Sequence, residues 1–128
     1  MAVLAGLIFA LLALALAGFQ LGLAMGRPWG HLTLGGRYLG KLPVFLRIAA
    51  LAYVVLWIGV AGLVLVHVGV IGEGFTGIGA SARIGPVFLL CVVTMVLNLI
   101  TPSRQERRLW GPVSIAMTAA LGVVIVSG

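Results

Sequence analysis

Four long apolar runs, separated by short breaks, dominate the chain. The runs cover residues 2–25, 44–71, 84–100 and 109–126. A helix that rises ~1.5 Å per residue needs about 20 apolar residues to cross the hydrocarbon core of a bilayer. Only helices or closed barrels satisfy backbone polar groups in lipid, and the runs lack the strict alternation of barrel strands. The pattern therefore predicts transmembrane helices.

The expected fold is an all-α, four-helix transmembrane bundle in a single domain, 1–128. Its helices are predicted at about residues 2–26, 44–71, 84–100 and 104–127. Pro43 and Pro86 fit the first turns of the second and third helices, where a missing N–H costs little. Ser103 and Glu106 have the spacing of a capping box at the start of the fourth helix. Pro112 falls inside that helix and predicts a kink or a division there.

The composition supports lipid as the solvent. Hydrophobic residues make up 62% of the 128 residues and charged residues only 8%, whereas soluble domains are about one quarter charged. The net charge of +6 raises the alternative of nucleic-acid binding. We reject nucleic acid as a partner because every Lys and Arg lies in or beside a break between apolar runs.

The basic residues predict the orientation of the chain. Seven of the eight lie in or beside the first and third connections: Arg27, Arg37, Lys41, Arg47, Arg104, Arg107 and Arg108. Only Arg83 belongs to the second connection. Because loops rich in Lys and Arg stay in the cytoplasm, both termini are expected outside (N-out/C-out).

Several side chains near these basic connections have the character of interfacial residues. Trp29, Tyr38 and Trp110 are expected at the cytoplasmic interface, where amphipathic rings settle. Arg47, about one turn inside the second helix, is expected to extend its guanidinium to the same interface. Trp29, Arg37, Lys41 and Arg47 together predict a docking surface, either for anionic lipid headgroups or for another protein.

Small residues recur at every fourth position on two helices. Gly18, Gly22 and Gly26 form one such stripe, and Ser114, Thr118 and Gly122 form another. Small residues at this spacing let helix backbones approach closely in lipid. Two interpretations remain open: an interface with another subunit, or packing within one bundle.

Polar residues inside the apolar runs are few, and four are candidates for a polar or ligand site. His67 lies well inside the second run, Asn98 lies in the third, and Glu73 and Arg83 flank the glycine-rich second connection. An ionisable residue in a membrane helix is a functional candidate by default. The alternatives without a functional role are a hydrogen-bonded or interfacial His67 and a solvated ion pair between Glu73 and Arg83.

No set of residues indicates catalysis. Cys91 is the single cysteine, so an internal disulfide is excluded. The sequence shows neither a nucleophile paired with a base nor a set of metal ligands. No metal, cofactor or enzymatic activity is therefore expected.

The connections resemble those of a group of small four-span bacterial membrane proteins. The resemblance is carried by Pro28-Trp29-Gly30, Gly35-Gly36, Leu42-Pro43 with Arg47, Asn98, Ser103 to Arg107, and Pro112. It implies four membrane crossings and a bacterial origin, but no biochemical activity. The expected location is the bacterial cytoplasmic (inner) membrane, as a multi-pass protein.

The leading functional hypothesis is a non-enzymatic membrane component that acts through helix packing. It is expected to be an accessory subunit or a homo-oligomer, with the lipid bilayer and other membrane subunits, or itself, as partners. The alternative is a small transporter or channel for a solute or an ion. Its polar pathway has five candidates: His67, Thr94, Asn98, Ser114 and Thr118.

Overall fold

The computed structural model describes residues 1–33, 36–38, 40–70 and 80–127, with side chains except at residues 80–83. Over these ranges the protein is all-helical, which confirms the predicted fold class. The helices are α1 (Ala2–Ala24), α2 (Val44–His67), α3 (Ala80–Ile100) and α4 (Arg104–Ser127). A short 3-10 helix, Gly30–Leu32, lies in the first connection and was not predicted.

Three of the described helices are long and apolar enough to cross a membrane: α1, α2 and α4. A shorter apolar stretch, Ile84–Ile100, lies within α3. The mean hydropathy of the most apolar windows of α1 and α2 is 2.6 and 2.5. These lengths support the predicted membrane character of the chain.

The two faces of α1 differ in side-chain size rather than in polarity. Its buried face carries mainly small residues, and Ala13 is completely buried. Its outer face carries leucines, of which Leu11 is 69% exposed. Soluble proteins rarely expose apolar patches of this extent, whereas lipid accepts them. Small residues inside also let α1 approach α2 closely, and a Cβ on Gly6 would lie 2.8 Å from Val68 Cγ2.

Helix α1 lies between α2 and α4. Helix α3 packs mainly on α4 and only slightly on α2. The main buried cluster includes side chains of all four helices, such as Phe9, Val64, Cys91 and Leu121. A second, smaller cluster around Leu23 joins the end of α1 to the first connection. The sparse contact between α2 and α3 leaves room for a cavity near the first connection.

The first two helices end earlier than predicted, because a glycine reverses the backbone at each end. Gly26 and Gly69 have φ values of +92° and +87°, a region that disfavours other residues. Arg27 N donates to Gly22 O, and Val70 N donates to Leu65 O, each at 2.9 Å. These bonds close Schellman motifs. Helix α1 therefore stops at residue 24 rather than 26, and α2 at 67 rather than 71.

The two prolines inside helices differ from expectation in position or effect. Helix α3 begins at Ala80 rather than at residue 84, so Pro86 is inside it and not in its first turn. Helix α4 matches its predicted bounds and runs without a division through Pro112. Near that proline, Ser114 Oγ lies 2.6 Å from Trp110 O and 3.0 Å from Gly111 O. The serine hydroxyl is therefore satisfied by carbonyls of the preceding turn of its own helix.

Candidate functional site

The first connection and the start of α4 lie against each other. Ser103 Oγ donates to His31 O at 3.0 Å and accepts from Glu106 N at 3.2 Å. The second bond confirms the serine half of the predicted capping box. Ser103 N donates to Thr101 Oγ1 at 3.3 Å. One side chain therefore caps α4 and fixes the first connection to it.

Arg47 joins two helices rather than simply extending to the interface. Its Nε donates to Ala24 O, one of the last carbonyls of α1, at 3.1 Å. A cationic donor at a helix C-terminus satisfies an orphan carbonyl and complements the helix dipole. Arg47 is half-buried, whereas Arg37 and Lys41 are exposed. Among the predicted docking residues, Arg37 and Lys41 are therefore the ones available to lipid or to a partner.

An aromatic cluster lies next to these connections. Phe19 stacks on Trp29, with centroids 5.9 Å apart and an interplanar angle of 9°. It also contacts Trp110 at 4.7 Å with a tilt of 58°. Trp110 is only 9% exposed, so its ring packs within the bundle rather than on its outer surface. The helix turns this indole towards Phe19 and into the bundle.

Beside this cluster is a cavity of about 490 Å³, which we call the connection-end cavity. Its size lies in the range of about 300–1,000 Å³ typical of small-molecule sites. All four helices and the first connection contribute to its wall. The described lining consists of Leu16, Phe19, Gln20, Leu32, Thr33, Tyr53, Trp57, Thr94, Leu97, Asn98, Ile100, Thr101, Pro102, Glu106 and Trp110.

The exposed lining residues of the cavity lie on α2, on α3 and, at Pro102, in the third connection. Tyr53 of α2 and Leu97 and Ile100 of α3 line the cavity and are also exposed on the outer surface. These two helices make little contact with each other. In a bilayer, a mouth between them faces lipid. Such a mouth would give a membrane-dissolved molecule a direct route to the cavity.

The lining is mainly apolar and aromatic, with a few polar groups. Gln20, Thr94 and Asn98 bring amide and hydroxyl groups from α1 and α3. The indole Nε1 of Trp110 is buried and has no hydrogen-bond partner among the described residues. An unpaired buried donor costs about 1–3 kcal/mol. This combination of aromatic walls and a donor in need of an acceptor is typical of a small-molecule site.

No family model matches the chain, and neither a curated protein nor a solved structure shows significant similarity to it.

Two glycines of the predicted α1 stripe pack against residues of the same chain rather than against another subunit. A Cβ on Gly22 would overlap the Trp29 ring. Gly26 ends the helix, and a Cβ there would lie 2.9 Å from Lys41 Cε. Gly18 is exposed, and nothing lies within 4 Å of a Cβ built on it. Of the three, only Gly18 remains open to another subunit.

The α4 stripe is also partly engaged inside the bundle. Ser114 is buried and hydrogen-bonds within its own helix. Thr118 Oγ1 lies 2.8 Å from Ser114 O and 3.3 Å from Cys91 O of α3. Nothing lies within 4 Å of a Cβ built on Gly122. The Thr118 hydroxyl therefore links α4 to α3, whereas the Ser114 hydroxyl is satisfied within α4.

The four predicted polar residues do not form one site, because Asn98 and His67 lie at opposite ends of the bundle. Asn98 lies near the C-terminus of α3 and lines the connection-end cavity. His67 lies in the last turn of α2, at the opposite end of the bundle. Its Nδ1 is buried without a hydrogen-bond partner in the described ranges. Glu73 and the Arg83 side chain fall outside the described residues.

Most residues of the cavity wall were not predicted from the sequence. Gln20, Phe19, Tyr53 and Trp57 were not proposed, although each contributes to it. A signal did exist: Gln20 is the only amide in the first apolar run, and Trp57 is the only tryptophan well inside the second. Gln20 lies about one turn from the end of α1, and Trp57 lies near the middle of α2. Because they belong to different helices and different depths, no spacing along the chain relates them.

Proposed function

We propose that this protein binds a small amphipathic molecule from the membrane in its connection-end cavity. The observation that carries the proposal is the cavity of about 490 Å³, walled by all four helices, with exposed lining residues on α2, on α3 and in the third connection. Its aromatic rings provide apolar area, and its few polar groups orient a ligand. This function agrees with the predicted alternative, a small transporter, in which Thr94 and Asn98 were candidate pathway residues.

The proposed setting is a bacterial inner membrane that the chain crosses four times, with both termini outside. Seven of the eight basic residues belong to the first and third connections. The contact between Ser103 and His31 joins these connections at one end of the bundle. The positive-inside rule assigns that end to the cytoplasm. The cavity mouth then opens towards the inner leaflet.

Cysteine labelling tests this orientation. In a Cys91→Ala background, Arg37→Cys and Arg107→Cys should react with a membrane-impermeant maleimide only after the cells are permeabilised. Ser127→Cys, at the exposed end of α4, should react in intact cells. Labelling of residues 37 and 107 from opposite sides would refute the four-span orientation.

A larger side chain in the cavity should weaken ligand binding. Thr94 lines the cavity, whereas its neighbour Val93 is exposed on the outer surface of α3. Thr94→Phe should weaken binding by about tenfold or more, because a steric conflict of about 1.4 kcal/mol already produces that factor. Val93→Phe, the matched control, should bind like the unaltered protein. Native mass spectrometry from detergent measures the bound fraction.

Three probes of similar size represent different ligand chemistries in this experiment. They are a 2-alkyl-1,4-naphthoquinone, the corresponding 2-alkylnaphthalene and the tetraphenylphosphonium cation. One-to-one binding of any probe, lost in Thr94→Phe and kept in Val93→Phe, supports the proposed function. If the unaltered protein binds none of them, or if the two variants behave alike, the cavity is not a ligand site.

An accessory subunit or a homo-oligomer is the second candidate function, and one observation favours it. Gly18 is a glycine on the exposed face of α1 with open space above it, so another helix can approach there closely. Cross-linking in bilayers tests this candidate through Gly18→Leu. Loss of a cross-linked species would support it, and an unchanged pattern would count against Gly18 as the contact.

A further inference from the structure

We propose that the ligand of the connection-end cavity is a neutral, planar ring that carries carbonyl oxygens and an apolar tail. This inference rests on the proposed function and specifies its ligand class. The first argument is the shape of the wall. Phe19, Trp57 and Trp110 contribute aromatic rings from three different helices. Aromatic rings pair best with other flat rings, by offset stacking or edge-to-face contact.

The second argument is the need for a hydrogen-bond acceptor. Trp110 Nε1 is buried and unpaired in the described part of the chain, and an indole N–H can only donate. Because this atom has almost no accessible surface, a ligand carbonyl would satisfy it, and relieve the cost of the unmade bond, only after the indole rotates towards the cavity. Asn98 and Gln20, on α3 and α1, supply further amide donors to the same cavity. A hydrocarbon ring without oxygen would satisfy none of them.

The charged side chains of the cavity lining also bear on the class of ligand. No Lys, Arg or His is among the described lining residues, so an anionic group entering the cavity would lose its hydration without a cationic partner. Glu106 is the one acidic group of the described lining; it is 7% exposed and already engaged in an interaction. That interaction does not by itself remove its charge, so the tetraphenylphosphonium probe tests for a cation directly. With no basic side chain in the described lining, a neutral ligand is the class we propose.

The fourth argument is the position of the mouth. Leu97 and Ile100 line the cavity and are 57% and 68% exposed. They lie on the last turn of α3, opposite Tyr53 of α2. An apolar tail that leaves by this route passes directly into lipid. The polar ring then stays among the donors inside the bundle.

Carbonyl recognition is testable with the same probes. The unaltered protein should bind the alkyl naphthoquinone at least about fivefold more tightly than the alkylnaphthalene, and tetraphenylphosphonium more weakly than the naphthoquinone. Trp110→Phe keeps an aromatic ring but removes the N–H. It should weaken naphthoquinone binding by about three- to tenfold, as expected for one neutral hydrogen bond. Binding of the alkylnaphthalene should stay the same.

The outcomes separate this inference from the proposed function. Equal binding of the naphthoquinone and the alkylnaphthalene would overturn carbonyl recognition but leave a ligand site. Preference for tetraphenylphosphonium would identify a site for lipophilic cations and overturn the neutral class. Binding of no probe would overturn both proposals. If Trp110→Phe does not fold, the comparison of the three probes on the unaltered protein still decides the ligand class.

Discussion

Replacing Gly22 with leucine should destabilise the protein by about 3 kcal/mol. The reason is steric, because a Cβ at this position would overlap the Trp29 ring. Overpacking typically costs about 1–3 kcal/mol. Displacing Trp29 would also break its stack on Phe19, which adds about 0.5–1.5 kcal/mol. Unfolding in mixed micelles with increasing dodecyl sulfate, followed by circular dichroism and tryptophan fluorescence, measures the change.

Gly18→Leu is the matched control for this prediction. It introduces the same side chain one turn earlier on α1, where nothing lies within 4 Å of a Cβ. Its free energy of unfolding should stay within about 0.5 kcal/mol of the unaltered value, as for surface substitutions generally. Equal destabilisation by the two variants would show that Trp29 does not pack on Gly22. It would also restore the whole glycine stripe as a candidate interface.

The different environments of Gly18 and Gly22 show where sequence reasoning reached its limit. The length and apolar character of the runs were sufficient to predict the helices, because the bilayer dictates both. They did not reveal which face of each helix is buried. In α1 both faces are apolar, so only residue size separates them. Ala10, Ala13 and Ala17 mark the buried face. The spacing of these alanines indicated which face of α1 is buried, whereas the prediction relied on the spacing of the glycines.

The helix ends illustrate a second limit. An apolar residue continues the hydrophobic run whether or not it is helical, as Val68 and Val70 do after α2. Hydropathy therefore placed the end of α2 at residue 71, beyond its observed end at His67. The local signal was Gly69, which takes a positive φ. A glycine near the end of an apolar run was a better indicator of the boundary than the run itself.

The cavity was beyond sequence reasoning because its wall combines residues of four separate helices and two connections. Towards the outer end, small residues such as Ala5 and Ala61 let α1 and α2 pack closely. Towards the connections, Phe19 and Trp110 pack together, whereas Trp57 lies near the middle of α2. The cavity lies at this end, where four separate helices bring the aromatic residues together.

Removing the Phe19 ring should therefore affect both the fold and the cavity. Phe19 lies between Trp29 of the first connection and Trp110 of α4, and it also lines the cavity. Phe19→Ala should lower the free energy of unfolding by about 3 kcal/mol, the lower end of the range for phenylalanine truncations in packed interiors, because the ring is only partly buried. It should also weaken binding of the naphthoquinone probe by about tenfold, since one aromatic wall is lost.

Phe45→Ala provides the same truncation on a residue that is 66% exposed on α2. This control should change neither stability nor probe binding, because in a bilayer its ring is surrounded by lipid and lipid replaces its contacts. Dodecyl sulfate unfolding and native mass spectrometry on both variants separate the two effects. If Phe19→Ala lost stability but bound the naphthoquinone normally, Phe19 would hold the connections together without forming a ligand wall. If it lost neither, the aromatic cluster would not hold the first connection against α4.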